Sequence, residues 1–109
     1  MHELAIAESV VSQVLERTGE RHVSVVRLRV GRLAGVVPDA LEFCFELAAA
    51  GTLLAGASVE ILEQSGAARC RSCGTDFELV DPILLCACGS ADVELLSGRE
   101  LCVASVEVV

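Results

Sequence analysis

Lysine, tryptophan and tyrosine are absent from this chain, and phenylalanine occurs three times. Without lysine the whole basic complement is eight arginines, set against sixteen acidic residues for a formal charge of −8. Affinity for nucleic acid comes mainly from neutralising phosphates with Lys and Arg, so binding to DNA or RNA is excluded as a main role. An acidic surface of this kind suits cations or a basic partner. With so few aromatics, the core must be aliphatic, built from Val, Leu, Ile and Ala; a composition that is 53% hydrophobic supports a folded domain. No apolar run approaches the ~20 residues of a membrane span, so no membrane role is expected. The apolar stretch Leu4 to Val14 is broken by Glu8, Ser9, Ser12 and Gln13 and has no basic segment before it, unlike a secretion signal. The expected compartment is the cytoplasm, where thiols stay reduced. No nucleophile with its base, phosphate loop, GTP-binding motif or paired catalytic carboxylates can be found, and the chain is expected not to be an enzyme.

Six cysteines are present, four of them in two tight pairs. Cys70-Arg71-Ser72-Cys73 is followed by Gly74, and Cys86-Ala87-Cys88 by Gly89. A thiolate pair this close grips one ion from one turn, a second pair completes a tetrahedron, and zinc is the expected metal. The glycines let the backbone fold back beneath it. Cys44 and Cys102 fall on apolar patterns and are expected in the core. Asp76, Glu78 and Asp81 lie in the linker between the pairs, where acidic side chains keep a small hairpin soluble.

Apolar periodicity predicts a helix over residues 4–18, with Leu4, Ala7, Val11, Val14 and Leu15 on one stripe and Gly19 as its stop. Val26, Leu28 and Val30 alternate with Arg27 and Arg29 as a half-buried strand. Pro38 and Asp39 open a second helix running to about Ala50, with Leu41, Cys44, Phe45 and Ala48 inward and Glu42 and Glu46 on its solvated side. Val59 to Glu63 reads as a strand. So does Leu101 to Val108, with Cys102, Ala104, Val106 and Val108 on one face. The cysteine pairs therefore interrupt a body that closes on itself. The expected fold is α+β: two helices packed on a three-stranded sheet, formed by residues 1–65 plus 97–109, with an inserted four-cysteine, zinc-ribbon-like module over 66–96.

At the other end, Met1-His2-Glu3 places an α-amine, a backbone amide and an imidazole within a few bonds of one another. These nitrogens, with a fourth donor from Glu3 or its amide, close fused rings in a plane, a geometry suited to Ni(II) or Cu(II) and poorly to zinc. Taken alone, a histidine at a chain start is more often simply frayed.

Met1-His2-Glu3-Leu4, Cys70-x-x-Cys73, Cys86-x-Cys88-Gly89-Ser90 and Leu96-Ser97-Gly98-Arg99-Glu100-Leu101 together resemble the HypA/HybF family of hydrogenase nickel-insertion chaperones from end to end. That resemblance implies transient Ni²⁺ at Met1, His2 and Glu3, and a structural Zn²⁺ at Cys70, Cys73, Cys86 and Cys88. It further implies delivery of nickel to the [NiFe]-hydrogenase large-subunit precursor with a HypB-type GTPase, and in some members service to urease maturation proteins. The expected state is a monomer or a weak, domain-swapped dimer. One departure stands out: the family's second pair is commonly Cys-x-x-Cys, and here it is Cys86-Ala87-Cys88. Two rivals differ in class. A zinc-ribbon adaptor would bind protein only, and an iron-thiolate carrier would move electrons.

Overall fold

The computed structural model describes residues 2–79, 81 and 83–109. In chain order the elements are α1 (Glu3–Thr18), β1 (Val23–Gly31), α2 (Pro38–Ala49), β2 (Ser58–Gln64), β3 (Gly66–Cys70), β4 (Asp76–Leu79), β5 (Val93–Ser97) and β6 (Leu101–Val108). They form two three-stranded sheets, ordered β2-β1-β6 and β4-β3-β5. The chain divides into two compact units, one of Met1–Arg29, Val36–Leu62 and Cys102–Val109, the other of Val30–Gly35 and Glu63–Leu101.

In the first unit, α1 buries Ala7, Val10, Val11 and Val14 and ends where Gly19 takes φ 62°. Only a residue without Cβ adopts that angle at no steric cost, and Gly19 N–H then caps the Leu15 carbonyl at 3.0 Å. α2 packs against α1. It begins on Pro38, whose ring fixes φ where no backbone donor is needed, and buries Leu41, Phe45 and Ala49. The loop after α2 is itself built: the Thr52 hydroxyl donates to Ala49 O at 2.6 Å and accepts from Leu54 N–H at 3.1 Å, and Leu54 is fully buried. Together with Val23, Val26 and Leu28 of β1, these side chains make an aliphatic core in which Phe45 is the one buried aromatic among the described residues. Each Val, Leu or Phe among them, fully buried, contributes roughly 1.5–3 kcal/mol.

The α+β architecture with two helices is therefore as the periodicity predicts. Three details of facing differ. Leu4 is exposed and Leu15 half-buried, whereas Val10 is in the core: the buried stripe of α1 lies one position round from the expected one. Cys44 is half-buried. Cys102 is exposed, because β6 turns two successive residues, Ala104 and Ser105, outward, so that Leu101, Val103, Val106 and Val108 are the half-buried set. Strict alternation extended back from Val108 puts Cys102 on the wrong face.

In the second unit, β3 is the central strand, antiparallel to β4 and β5, with an irregularity against β5 between Ala67 and Ala68. Gly98 sits at φ 123°, where a Cβ would come within 2.7 Å of Gly66 Cα and 2.9 Å of Leu33 Cδ1. Its amide donates to Glu100 Oε1 at 2.9 Å, and its carbonyl accepts from Leu33 N–H at 2.8 Å. The Ser97-Gly98-Arg99-Glu100 sequence is thus a turn that needs a glycine for close approach.

Candidate metal centre

β3 delivers Cys70 to the start of a tight turn. Gly74 N–H donates to Cys70 O at 2.8 Å, Cys70 N–H to Thr75 O at 2.9 Å, and Cys73 N–H points at Cys70 Sγ at 3.5 Å before the chain returns as β4. The second turn repeats this wrapping with one residue fewer. Gly89 N–H donates to Cys86 O and Cys86 N–H to Ser90 O, both at 2.9 Å. Gly74 and Gly89 both take positive φ, 76° and 92°. The Cys-x-Cys spacing is thus a shortened turn of the same kind, and it still brings its sulfurs to the site.

The four Sγ atoms of Cys70, Cys73, Cys86 and Cys88 lie within 4.8 Å of one another. Across the two turns, Cys70 to Cys88 and Cys73 to Cys86 are each 3.7 Å apart. A tetrahedral zinc with ~2.3 Å metal–sulfur bonds has sulfur–sulfur edges of about 3.8 Å, whereas a disulfide would need about 2.05 Å. All six cysteines are free thiols. The donor set and its spacing fit a thiolate-bound ion, and they form the one such group among the described residues.

Two of the sulfurs belong to buried residues, Cys70 and Cys86, and two to exposed ones, Cys73 and Cys88. Their acidities diverge. Hydrogen bonding with the Thr75 hydroxyl, and then with its backbone amide, lowers the Cys73 thiol to about 6. The backbone N–H of Cys73 also lowers Cys70. For Cys86, the Cys88 backbone amide pulls downward, but burial and the three neighbouring sulfurs push the thiol up to about 12.

Around the sulfurs, polar side chains join one turn to the other. Ser72 and Ser90 hydroxyls meet at 2.8 Å, and Ser90 Oγ also accepts from Asp92 N–H at 3.1 Å. Arg71 reaches Asp92 twice, by its amide to the carbonyl at 2.9 Å and by its guanidinium to the carboxylate at 3.1 Å. Asp76 pairs with Arg69 on the neighbouring strand at 2.7 and 3.2 Å, so it holds the hairpin as well as solubilising it. Of these partners the sequence marks only Ser90, directly after the second glycine, and Asp76, in the linker between the pairs.

The expected nickel residues are arranged differently. Met1 lies outside the described residues. His2 is exposed and occupies the capping position of α1 without a side-chain capping bond, while its carbonyl accepts from Ile6 N–H at 3.1 Å. Glu3 turns its carboxylate to the start of α2, where Oε2 accepts from Val37 N–H at 3.2 Å. That bond, and then Glu3's own amide, hold its carboxyl below the ordinary range. No described His, Cys, Asp or Glu joins His2 and Glu3 in a group of three or more.

Comparison with known proteins identifies the family. Residues 1–108 match the family described as hydrogenase/urease nickel incorporation, metallochaperone, HypA. The hydrogenase maturation factor HypA of Trichormus variabilis is 43% identical over 108 residues, which cover 99% of this chain and 96% of that protein. The corresponding protein of Streptomyces avermitilis is 50% identical, covering 97% and 86%. In structure, the chain is similar to the Ni metallochaperone HypA from Helicobacter pylori in solution, with TM-score 0.69 at 20% identity over 100% of this chain and 98% of that one, a likeness of fold. No helix is long and apolar enough to cross a membrane among the described residues. The chain belongs to the HypA family of nickel-incorporation metallochaperones, which act in hydrogenase maturation and are not enzymes.

Proposed function

We propose that this chain carries Ni²⁺ at Met1, His2 and Glu3 and releases it to a [NiFe]-hydrogenase large-subunit precursor, with Zn²⁺ held at Cys70, Cys73, Cys86 and Cys88 as a structural ion. The observation that carries the reading is the family match over residues 1–108, which takes in both the Met-His-Glu start and the cysteine pairs. The imidazole of His2 supports it, being exposed and without a capping bond. Nickel is cargo here. Amine, amide and imidazole nitrogens at a chain start exchange it by simple ligand replacement, and protons compete with the metal for such donors, so affinity falls as pH falls.

Zinc supplies cross-linking of the two turns when bound; the thiolates hold it, Thr75 stabilises the Cys73 thiolate, and Ser72, Ser90 and Asp92 orient the turns. Functionally the chain divides into a nickel-binding part, residues 1–65 with 97–109, and a zinc-binding module, 66–96. The partners in this reading are a HypB-type GTPase, the large-subunit precursor and, in some hosts, urease maturation proteins. The protein works in the cytoplasm as a monomer or weak, domain-swapped dimer.

The test is calorimetric titration of Ni²⁺ into zinc-loaded, untagged protein and into His2→Ala. The reading expects one nickel per chain, weakened by about 100-fold in the variant, where the imidazole donor is lost. Equal affinity in both would overturn it. Zinc content without specific nickel uptake would favour an adaptor that only binds protein.

A further inference from the structure

The solvent side of α2 is not the uniformly polar surface that a helix over an aliphatic core ordinarily presents. At 100° per residue, Glu42, Glu46, Asp39, Ala50, Phe43 and Leu47 fall in that angular order across an arc of roughly 140° opposite Leu41 and Phe45. All six are exposed. One half of the arc is acidic and the other apolar, and the apolar half is substantial: Phe43 is 62% exposed and Leu47 55%. In a chain with three phenylalanines, the burial of Phe45 and the exposure of Phe43 on one helix are an uneven use of a scarce residue. On the acidic flank, Glu42 and Glu46 line an open hollow of about 390 Å³ together with Gly56, Ala57, Ser58 and Val59. No basic residue occurs between Arg32 and Arg69, so nothing in this stretch neutralises those carboxylates.

Charge decides among possible occupants. A second copy of the chain would bring the same carboxylates against themselves. An anionic membrane surface would be repelled in the same way. A helix with leucine-like residues along one stripe and Lys or Arg along the next complements both halves, its apolar stripe on Phe43 and Leu47 and a cationic side chain in the hollow between Glu42 and Glu46. The geometry points to the outer face of α2 as a docking surface for a basic amphipathic helix of a partner protein. This goes beyond the nickel reading and does not depend on it, since none of the residues involved is a proposed metal ligand.

The test uses the full-length, zinc-loaded protein and a synthetic helical peptide with leucines at i, i+3, i+4 and i+7 and lysines on the adjacent stripe, followed by amide chemical-shift mapping and titration. The largest shifts are expected on Asp39 to Ala50 and on Gly56 to Val59. Phe43→Ser with Leu47→Ser should weaken binding by about 30-fold, as loss of a central anchor does. Glu42→Gln with Glu46→Gln should weaken it about fivefold and flatten its salt dependence. Leu62→Ser, an exposed apolar site on β2, should change nothing. Shifts centred away from α2, equal weakening by Leu62→Ser, or α2 signals that move with protein concentration alone would overturn the proposal. The mapping on unaltered protein stands even where a variant fails to fold.

Discussion

The four-cysteine centre and the Met-His-Glu start handle donors in opposite ways. At the centre, two turns wrap back on themselves through backbone hydrogen bonds, and the cross-turn sulfurs already stand 3.7 Å apart, close to the edge of a zinc tetrahedron. At the start, a single exposed imidazole sits on the capping residue of α1, and the neighbouring carboxylate is turned to Val37. Donors fixed before the ion arrives lose little entropy on binding it and release it slowly; donors gathered by the ion itself are dispersed as readily. A carrier needs both behaviours, in different places, for different ions.

The comparison breaks hardest at a buried cysteine. An apparent binding energy of roughly 10–16 kcal/mol spread over four thiolates is about 3 kcal/mol each, so Cys70→Ser should weaken Zn²⁺ by ~100-fold or more in chelator competition. Broadened amide signals are expected over Glu63–Leu101, with the nickel affinity of the start unchanged. A core change in the other unit should do the reverse. Leu28→Ala leaves a cavity at a fully buried site and should destabilise by about 3 kcal/mol in denaturant unfolding, with zinc content intact.

A smaller effect comes from Ser90→Ala, which takes away the hydroxyl that meets Ser72 and Asp92 N–H. About 1 kcal/mol, or roughly fivefold in Zn²⁺ affinity, is expected by the same competition. Acidity sharpens the picture within the centre. In metal-stripped protein at neutral pH, Cys73, lowered to about 6, is already thiolate, whereas Cys86, pushed up to about 12, is protonated. Alkylation followed by peptide mass spectrometry should therefore modify Cys73 first and Cys86 last, with the rate at Cys73 level above about pH 6 and falling tenfold per unit below it. Modification of all four at one rate would contradict this ordering.

What the sequence made legible follows from physical signal strength. The Gly19 stop, the Pro38 start and the Val26-Leu28-Val30 alternation are strong local preferences, and the structure agrees with them. The sheet of β3, β4 and β5 was not legible: its strands have four or five residues, too few for a period to register, and their pairing depends on turns closed around cysteines. Cys102 was misplaced because one pair of outward residues, Ala104 and Ser105, reverses every facing before it. The four sulfurs were readable from spacing alone, since close pairs of thiols with glycines have few other uses. Thr75, Ser72 and Asp92 were not, because hydroxyls and carboxylates in turns are common and only geometry singles these out.

The central claim is that one ion stays and the other moves. Untagged protein loaded with both Zn²⁺ and Ni²⁺, challenged with excess chelator and sampled for metal content over time, tests it most directly. Nickel should leave promptly and zinc remain bound through the same interval; loss of both at one rate, or of zinc first, would contradict the account.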